Sequence, residues 1–456
     1  MRHGVRDGAR GENQVKPRST LFAALATISI VAGACSSAAT TAPAASVAAP
    51  SAAPSVAAST APSAAASTAP SAAASTAASA AAVPNVSISS FDATFGTMAQ
   101  FKPLTAAGKG LVGVILPDTT SSARYVDFDA PFLKAAFDAA GYSSSDYKID
   151  NAQGSDATEL SLAQADITAG AKVLVMDPLD ATVGKQIQTL AAQNGVKLIS
   201  YDRATFQGTD TYYVSFNNVE VGKLIGQGIQ QCVTDWGVKN PQVFTLDGGQ
   251  DTDPNAIDFA KGYNSVVWGQ AVAQVKAGTK NSAGWTLVGE QIAPGWDNTK
   301  GGQIFEQQFT AHPNINTTIE ANDGLANAVI QDLKKAGVPA KKIPTGGQDA
   351  TLQGMQNILQ GYQCGSVYKA VYLEAQAAVS LATILRAGAT PPSSLVNGTT
   401  TDPANSSVTE PAVLLTPVWV NEKNMASTVI KDNFVKAADL CKLVGTTICS
   451  AAGITP

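Results

Sequence analysis

Short apolar runs alternate with amphipathic stretches along the chain from residue 109 onward. The first run, residues 111–116, predicts a buried strand, and residues 129–140 carry apolar positions at helical spacing before the helix-ending Gly141. The same texture predicts further strands at residues 172–176, 197–201, 242–246, 286–290, 317–321 and 413–415. It predicts further helices at residues 182–193, 219–236, 255–276, 325–336, 351–359, 371–385 and 424–441.

This alternation is typical of α/β proteins with parallel sheets, because a parallel connection needs a crossover that is usually a helix. The predicted strands are continuously apolar, as expected for sheets that are covered on both faces. The number of elements predicts two doubly wound parallel-sheet lobes. In sheets of this type ligands bind beyond the carboxyl ends of the strands, so the residues just after each apolar run are the functional candidates.

Polar side chains follow most of these predicted strands, at residues 117–118, 177–178, 202–203, 247–249, 322–323 and 348–349. Carboxylates accept hydrogen bonds, guanidinium groups donate them and amides do both, which suits the vicinal hydroxyl groups of a sugar. The aromatic candidates for the apolar face of a sugar ring are Tyr125, Trp236, Trp268, Trp285 and Trp296. The alternative interpretation is helix capping, because Asp and Asn are preferred N-cap residues.

The N-terminal residues have the layout of an export signal. A basic segment ends at Arg18, and the apolar run of residues 21–34 is shorter than the ~20 residues that a membrane-spanning helix needs. Small residues then precede Cys35, as in the bacterial lipobox, whose cysteine is acylated and becomes the new N-terminus. We predict a lipoprotein signal peptide at residues 1–34 and a membrane anchor through lipidated Cys35. The alternative is a plain secretory signal with an incidental cysteine.

Residues 36–82 consist almost wholly of Ala, Ser, Thr, Pro and Val, with a recurring eight-residue unit. This tract has no large apolar residue to bury, so it cannot offset the entropy cost of ordering. Its repeated prolines also prevent a continuous helix. We predict that residues 35–108 form a disordered tether that begins at the acylated cysteine.

Composition argues against several functions. The formal net charge is −5 and the body of the chain has no basic segment, which argues against a nucleic-acid partner. The two histidines, His3 and His312, are too few for a His-rich metal site, and only His312 could serve a catalytic triad in the exported chain. The acidic residues near Asp247 lack the Gly and distal Glu of an EF-hand calcium loop. No metal and no cofactor are therefore predicted.

Besides Cys35 the chain has four cysteines, which suit the oxidising exterior of a cell. Cys441 and Cys449 are close enough along the chain for a local disulfide, which would leave Cys232 and Cys364 to each other. Four cysteines allow three pairings, and free buried thiols are the remaining alternative.

Residues 110–434 resemble the bacterial periplasmic D-xylose-binding proteins, a group within the ribose/galactose type of substrate-binding protein. The motifs that carry the resemblance occur in a fixed order along the chain. They include Ile199-Ser200-Tyr201-Asp202-Arg203, Tyr213-Val214-Ser215-Phe216-Asn217-Asn218, Pro294-Gly295-Trp296, Ala321-Asn322-Asp323-Gly324, Gly347-Gln348-Asp349-Ala350, Val367-Tyr368-Lys369 and Leu414-Leu415-Thr416-Pro417.

The resemblance implies the type I periplasmic-binding-protein fold, with a ligand cleft between two lobes that are joined by three crossing strands. The expected first lobe comprises residues 109–216 and 370–410, and the second comprises residues 217–369 and 411–456. The implied ligand contacts are Arg124, Tyr125, Asp202, Arg203, Asp253, Asn255, Trp296, Asn322, Asp349 and Lys369. Tyr125 stands where the family more often has Trp, and Asp323 and Gln348 are expected to support the site or cap helices.

The implied function is capture of a monosaccharide, with D-xylose favoured, and its delivery to an ABC permease. The protein is expected to be a monomer without catalytic activity, lipid-anchored at the outer face of the cell membrane or periplasmic. Alternatives from other classes are a sugar sensor for a membrane receptor, the effector domain of a transcriptional repressor and a secreted carbohydrate-active enzyme. The export signal counts against the repressor. Glucose, galactose and arabinose remain alternative ligands.

Overall fold

The structure is a computed structural model that describes residues 81–206 and 211–456. The predicted signal peptide, the lipidation of Cys35 and the repetitive tract up to residue 80 lie outside the described residues. Within the described part of the chain, no helix combines the length and apolar character needed to cross a membrane.

The strands are β1 (Leu111–Leu116), β2 (Tyr147–Asn151), β3 (Ala171–Met176), β4 (Lys197–Tyr201), β5 (Thr211–Phe216), β6 (Gln242–Asp247), β7 (Thr286–Ile292), β8 (Thr317–Glu320), β9 (Ser366–Tyr368), β10 (Gly398–Thr401), β11 (Thr409–Leu415) and β12 (Val418–Val420). The helices are α1 (Lys102–Ala107), α2 (Ala130–Ala139), α3 (Asp156–Thr168), α4 (Ala181–Gln193), α5 (Asn218–Asp235), α6 (Pro254–Val267), α7 (Asn298–Ala311), α8 (Asp323–Lys335), α9 (Leu352–Leu359), α10 (Val371–Arg386), α11 (Ala437–Val444) and α12 (Thr446–Ala451). Short 3₁₀ helices lie at Ile88–Ser90, Gly96–Phe101 and Pro294–Trp296, and π-helical turns at Tyr125–Asp129 and Ala426–Ile430.

The first lobe is built on a seven-stranded sheet in the order β10-β11-β5-β4-β3-β1-β2. Its strands pair in parallel except at the edge, where β10 is antiparallel to β11. Alternate residues face opposite layers, because Val173 and Val175 share a core with α2 and α10, whereas Leu174 and Met176 share one with α3 and α4. The sheet is covered on both faces, which confirms the predicted doubly wound α/β architecture.

The second lobe is built on the parallel strands β7-β6-β8, beside the antiparallel pair β12 and β9. A single apolar cluster joins the three parallel strands to α5, α6, α7 and α8, with Ile225, Phe259, Phe305 and Val329 all buried in it. A bridge between Gln348 and Val367 connects the loop before α9 to β9. The carboxyl ends of the strands in this lobe therefore lie close to the segment that returns to the first lobe.

The chain passes between the lobes at residues 216–218, 368–371 and 415–418. Strand β11 belongs to the first sheet because it pairs with β5 along Ala412 to Leu415. The boundary that was expected at residue 410 therefore moves to residue 415. Residues beyond β12 touch both lobes, since Phe434 stacks on Phe128 of the first lobe with 3.9 Å between ring centroids.

Residues 83–107, which the sequence assigns to the disordered tether, are folded against the first lobe. They form the first two 3₁₀ helices and α1, and they bury Phe91, Met98, Phe101 and Leu104 in the core that contains α10. The side chain of Gln376 on α10 donates to the carbonyl of Asp92 at 2.8 Å. The apolar residues from Phe91 to Leu104 recur at intervals of three or four, which is a helical signal that the tether prediction did not use, and their burial against α10 shows what they pack on.

Differences from the predicted elements have local causes. Helix α3 and edge strand β2 are absent from the prediction, because the buried positions of α3 include the acids Glu159 and Asp166 and β2 is only partly buried. Helix α6 ends at Val267 and not at residue 276, since Gly269 takes the left-handed φ of 70°. The helix predicted at residues 424–441 is divided between a π-helical turn and α11.

Disulfides join Cys232 to Cys364 and Cys441 to Cys449. The first links α5 to the segment before β9, and the second links α11 to α12. The pairing across 132 residues closes a long loop and so restricts the unfolded chain most.

A chain that begins at residue 109 should be much less stable than one that begins at residue 81. The deletion removes five buried apolar side chains, including Val86, each worth roughly 1.5–3 kcal/mol, and uncovers α10. Thermal denaturation followed by circular dichroism should show a midpoint lower by about 10 °C or more. Equal midpoints for the two chains would contradict a structural role for residues 83–107.

Stability should also depend on pH through Glu320, which is fully buried at the end of β8. Burial raises its pKa to about 8, against the opposing effect of hydrogen bonds from Thr318 and the Gly346 amide, whereas the ordinary value is 4.5. The native state therefore holds a proton that the unfolded chain has released, and the free energy of unfolding falls as pH rises from about 5 to 8.

Urea denaturation of Glu320→Gln between pH 6 and pH 8 should show a shallower pH dependence than the parent protein, by at most about 1.4 kcal/mol per pH unit. The exposed Glu306→Gln on α7 is the matched control and should retain the parent slope. An unchanged slope in Glu320→Gln would contradict the assignment.

Candidate functional site

A cavity of about 300 Å³ lies between the lobes at the carboxyl ends of their strands. It is lined by every residue that the sequence resemblance implies, namely Arg124, Tyr125, Asp202, Arg203, Asp253, Asn255, Trp296, Asn322, Asp349 and Lys369. Four further residues complete the lining, Ser121, Ser122, Phe259 and Gln348. The structure therefore brings the predicted residues together, and their contact with a ligand stays a prediction.

Sequence reasoning missed part of this lining for identifiable reasons. Phe259 lies one helical turn after Asn255 on α6, so the i, i+4 spacing from a predicted contact is the signal that could have found it. Ser121 and Ser122 lie in the loop after β1, where the resemblance is weakest. Gln348, which was expected to support the site or cap a helix, also lines the cavity.

Arg124 is enclosed by carboxylates and is only 2% exposed. Asp129 binds it through two hydrogen bonds of 2.9 and 2.8 Å, and Asp202 and Glu374 each accept one of 2.7 Å. Tyr201 in turn donates to Asp129 at 2.6 Å. These partners hold the guanidinium group in one orientation at the edge of the first sheet.

Contacts between the two lobes show that the cleft is closed. Nε of Arg203 lies 3.2 Å from Oδ2 of Asp253, and Ser122 Oγ donates to Asp349 at 3.0 Å. At the rim of the cleft, the amide of Ala181 donates to the carbonyl of Thr252 at 3.0 Å.

The carboxyl groups of the cavity differ in electrostatic character. Burial would raise the pKa of Asp202, but Arg124, Lys369 and Arg203 outweigh it and hold the pKa well below the usual range. Burial raises the pKa of Asp253 and of Asp349, and their cationic neighbours offset it only in part. Asp202 is therefore a permanent hydrogen-bond acceptor, whereas the other two carboxyl groups take up a proton more easily.

Trp296 and Phe259 form the aromatic wall of the cavity. Their ring centroids are 6.2 Å apart in an edge-to-face arrangement, and the indole nitrogen of Trp296 donates to Asp253 at 3.2 Å. The Trp296 ring rests on the backbone of Gly248, where an added Cβ would lie only 2.1 Å from the ring. The absence of a Cβ in the Gly-Gly turn after β6 therefore leaves the space that this ring occupies.

Tyr125 lines the cavity beside two arginine side chains. Its ring centroid lies 5.7 Å from the guanidinium carbon of Arg124 and 5.6 Å from that of Arg203, and its hydroxyl accepts from Arg203 at 3.0 Å. The ring thus interacts with two cations within the wall of the site.

The other aromatic candidates do not line the cavity. Trp268 and Trp285 are buried in the apolar cluster of the second lobe, and Trp236 ends α5 beside the Cys232–Cys364 disulfide. Trp268 and Trp285 therefore have structural roles in the second lobe, whereas Trp236 is half-buried.

Helix capping and cavity lining are combined in two residues. Asp253 caps α6 by accepting from the Asn255 amide at 2.8 Å, and Asn322 caps α8 by accepting from the Leu325 amide at 2.9 Å. The capping interpretation was therefore correct for Asn322, and at both residues capping does not compete with a place in the cavity. Capping fixes their orientation at the cleft.

Three residues that line the cavity have strained backbone conformations. Asp202, Trp296 and Asp349 have left-handed φ angles of 57°, 61° and 98°. Such conformations cost on the order of 1–3 kcal/mol each and persist only where neighbouring contacts hold them. At Asp202 the hydroxyl of Tyr213 and the side-chain amide of Asn255 both donate to the carbonyl at 2.7 Å.

In the described part of the chain, no group of three or more His, Cys, Asp or Glu side chains is arranged to hold a metal ion. The arrangement that is present offers buried acceptors, fixed cationic donors, amides and an aromatic wall around a small closed space. Such an arrangement suits a compact molecule with many hydroxyl groups.

The fold is the type I periplasmic-binding-protein fold, and residues 112–390 match the family described as periplasmic binding protein domain. The match covers more than half of the chain, and the chain belongs to this family.

Curated relatives and a solved structure agree with the assignment. The D-xylose-binding periplasmic protein of Escherichia coli is 32% identical over 64% of this chain and 82% of its own length. The multiple sugar-binding periplasmic receptor ChvE of Rhizobium radiobacter is 30% identical over 76% of this chain and 97% of its own length. A carbohydrate transporter solute-binding protein of Chloroflexus aurantiacus, solved with D-glucose, is 26% identical over 73% of this chain and 98% of its own, with a TM-score of 0.60. These relatives are solute-binding proteins and not enzymes, which confirms the expectation of a protein without catalysis.

Gly248→Ala should displace the Trp296 ring, because the new methyl group would overlap it. Overpacking of this kind costs roughly 1–3 kcal/mol. The variant should unfold at a lower temperature and show an altered near-ultraviolet circular dichroism spectrum. Gly289→Ala on β7 is the matched control, since its nearest neighbouring atom would be 3.6 Å away, and it should change the spectrum little. A parent-like spectrum for Gly248→Ala would contradict this packing.

Proposed function

We propose that the protein captures a monosaccharide, most specifically D-xylose, by closure of its two lobes and delivers it to an ABC importer. The observation that carries the proposal is the closed cavity of about 300 Å³, whose charged, amide and aromatic lining comes from both lobes. The lining side chains of both lobes surround one small space, which suits a single sugar ring better than an oligosaccharide.

The lining supplies what a sugar ring requires. Asp202 accepts hydrogen bonds from hydroxyl groups, Arg124 and Arg203 donate to them, and Asn322 does both. The Trp296 ring offers an apolar surface to the C–H face of the sugar. No group among these needs to react, so binding and release are the whole of the proposed activity.

Lobe closure follows from the division of these groups between the lobes. Arg124 and Asp202 belong to the first lobe, whereas Asp253 and Trp296 belong to the second. A ligand that bonds to both sets interacts better with the closed form than with the open one, and so shifts the equilibrium towards closure. A permease can then distinguish loaded from empty protein by its shape.

D-xylose is favoured because the relative from Escherichia coli is named for it and because a pentose ring lacks the extra CH₂OH group of a hexose. Recognition of several sugars is the second candidate. It is supported by the multiple sugar-binding receptor of Rhizobium radiobacter and by the glucose complex of the Chloroflexus protein. Glucose, galactose and arabinose are therefore the sugars to compare with xylose.

We also propose that the exported protein works as a monomer outside the cytoplasm, held to the membrane through lipidated Cys35. The basic and apolar segments before Cys35 support this proposal. A role as a sugar sensor for a membrane receptor would use the same closure. Sugar uptake by vesicles that contain a candidate permease would separate the two roles, because a sensor alone drives no transport.

Calorimetric titration of a chain that begins at residue 81 should show saturable 1:1 binding of D-xylose, with glucose, galactose, arabinose and ribose as comparisons. Asp253→Ala removes an acceptor and leaves Arg203 short of a partner, so the affinity should fall roughly 10–100-fold. Trp296→Ala should weaken binding through loss of the aromatic wall.

Asp235→Ala is the matched control, because Asp235 lies in the same lobe but outside the cavity, and its affinity should equal that of the parent. Binding of another monosaccharide alone would replace the ligand and keep the mechanism. No binding of any monosaccharide by folded protein would refute the proposed function.

A further inference from the structure

Asp323 is a carboxylate buried without a cation. It is 2% exposed, and no Lys or Arg of residues 81–206 and 211–456 forms an ion pair with it. It does not line the cavity. It accepts four hydrogen bonds instead, from the Thr351 amide at 2.8 Å, the Thr351 hydroxyl at 3.1 Å, the Gln363 side chain at 2.8 Å and the Ser366 hydroxyl at 2.7 Å. A buried carboxylate is costly unless it is satisfied in this way.

The partners of Asp323 lie on separate segments that each carry a cavity residue. Asn322 directly precedes Asp323, Asp349 stands two residues before Thr351, and Lys369 follows β9, which begins with Ser366. Main-chain bonds join the same segments, since the Asp323 amide donates to the Gln348 carbonyl at 2.9 Å. One side chain therefore ties together the three segments that supply Asn322, Asp349 and Lys369.

The backbone between these partners is strained. Asp349 and Ala350 both have left-handed φ angles, of 98° and 50°. Two such residues in succession need contacts that hold them, because each conformation is costly for a residue with a Cβ. Thr351 follows them and donates its amide to Asp323, and the Ala350 amide donates at 3.0 Å to the Ser366 hydroxyl, which itself donates to Asp323.

Two glycines, Gly347 and Gly354, pack closely against the Asp323 carboxylate. A Cβ added at Gly354 would lie 2.2 Å from Oδ2 of Asp323, and one added at Gly347 would lie 2.6 Å from Oδ1. Neither glycine has a left-handed φ, so close approach to the carboxylate is the constraint that a larger residue would violate. The two glycines therefore make room for the Asp323 carboxylate.

We infer that Asp323 is a positioning residue of the sugar site, which holds Asp349 and its neighbouring segments in ligand-binding geometry without touching the ligand. The inference rests on the proposed function, because it concerns the same cavity. It assigns to the second residue of the Asn-Asp-Gly motif a role beyond helix capping. Affinity for the sugar, and not only the stability of the second lobe, depends on this carboxylate.

Titration of the folded variants with D-xylose tests the inference. Asp323→Ala should bind at least tenfold more weakly than the parent, at a temperature where circular dichroism shows both to be folded. Asp323→Asn should recover most of the affinity. The oxygen of the new asparagine can still accept from Thr351. The side-chain oxygen of Gln363 has no hydrogen-bond partner in the parent structure, and rotation of that side chain would turn it towards the new asparagine NH₂ group.

Asp297→Ala is the matched control. Asp297 caps α7 in the same lobe by accepting from the Thr299 and Lys300 amides, but it lies outside the cavity. Its loss should lower the thermal midpoint and leave the affinity unchanged. If Asp323→Ala does not fold, Ser366→Ala replaces it, because it cuts the link between Asp323 and the Ala350 amide and should weaken binding several-fold.

Double-mutant cycles distinguish positioning from general loosening. The fold-losses of Asp323→Ala and Asp349→Ala should combine to less than their product, since both act through Asp349. The fold-losses of Asp323→Ala and Asn255→Ala should multiply, since the loop before α6 does not contact Asp323. Unchanged affinity in Asp323→Ala, or plain multiplication in both cycles, would overturn the inference while parent binding upholds the proposed function. Absence of sugar binding by the parent protein would overturn both.

Discussion

Compensation of buried charge at the closed cleft is the constraint on which the rest of the structure depends. Arg124, Arg203 and Lys369 are each at most 4% exposed, and an ion removed from water to this degree costs several kcal/mol unless it is compensated. Part of the compensation comes from the opposite lobe, as in the pair of Arg203 and Asp253. The two sheets, the helix caps and the crossing segments place these charged partners within contact distance of one another.

The fold meets this constraint by using the same residues for structure and for the site. Parallel strands deliver several loops to one edge, and each loop must also start a helix. Asp253 and Asn322 satisfy helix amides and face the cavity at once. The strained φ angles of Asp202, Trp296 and Asp349 show that cavity geometry has been maintained against local backbone preference. Asp323 is the point where such strain is held by buried hydrogen bonds.

Segments outside the two sheets stabilise the region where the lobes join. Asp432 accepts hydrogen bonds from Tyr368 at 3.2 Å and from Tyr372 at 3.0 Å, on either side of the crossing at residues 368–371. Phe434 stacks on Phe128, which follows Tyr125 in the π-helical turn at the cavity. Residues 83–107 cover α10 on the first lobe, so the folded body begins well before the first strand. The C-terminal segment thus contacts both lobes, whereas the N-terminal segment packs on the first.

The amino-acid sequence by itself determined the α/β architecture, the division into two lobes and ten of the fourteen residues that line the cavity. Apolar runs and helical spacing are local signals, and motifs such as Gly347-Gln348-Asp349-Ala350 carry the family resemblance in a few adjacent residues. Only the tertiary structure decided the cysteine pairing, the packing of residues 83–107 on α10, the extension of the first lobe to Leu415 and the contacts of Phe259, Tyr125 and Asp323. Each of these depends on contacts between residues that are distant along the chain, and local propensity carries no record of such contacts.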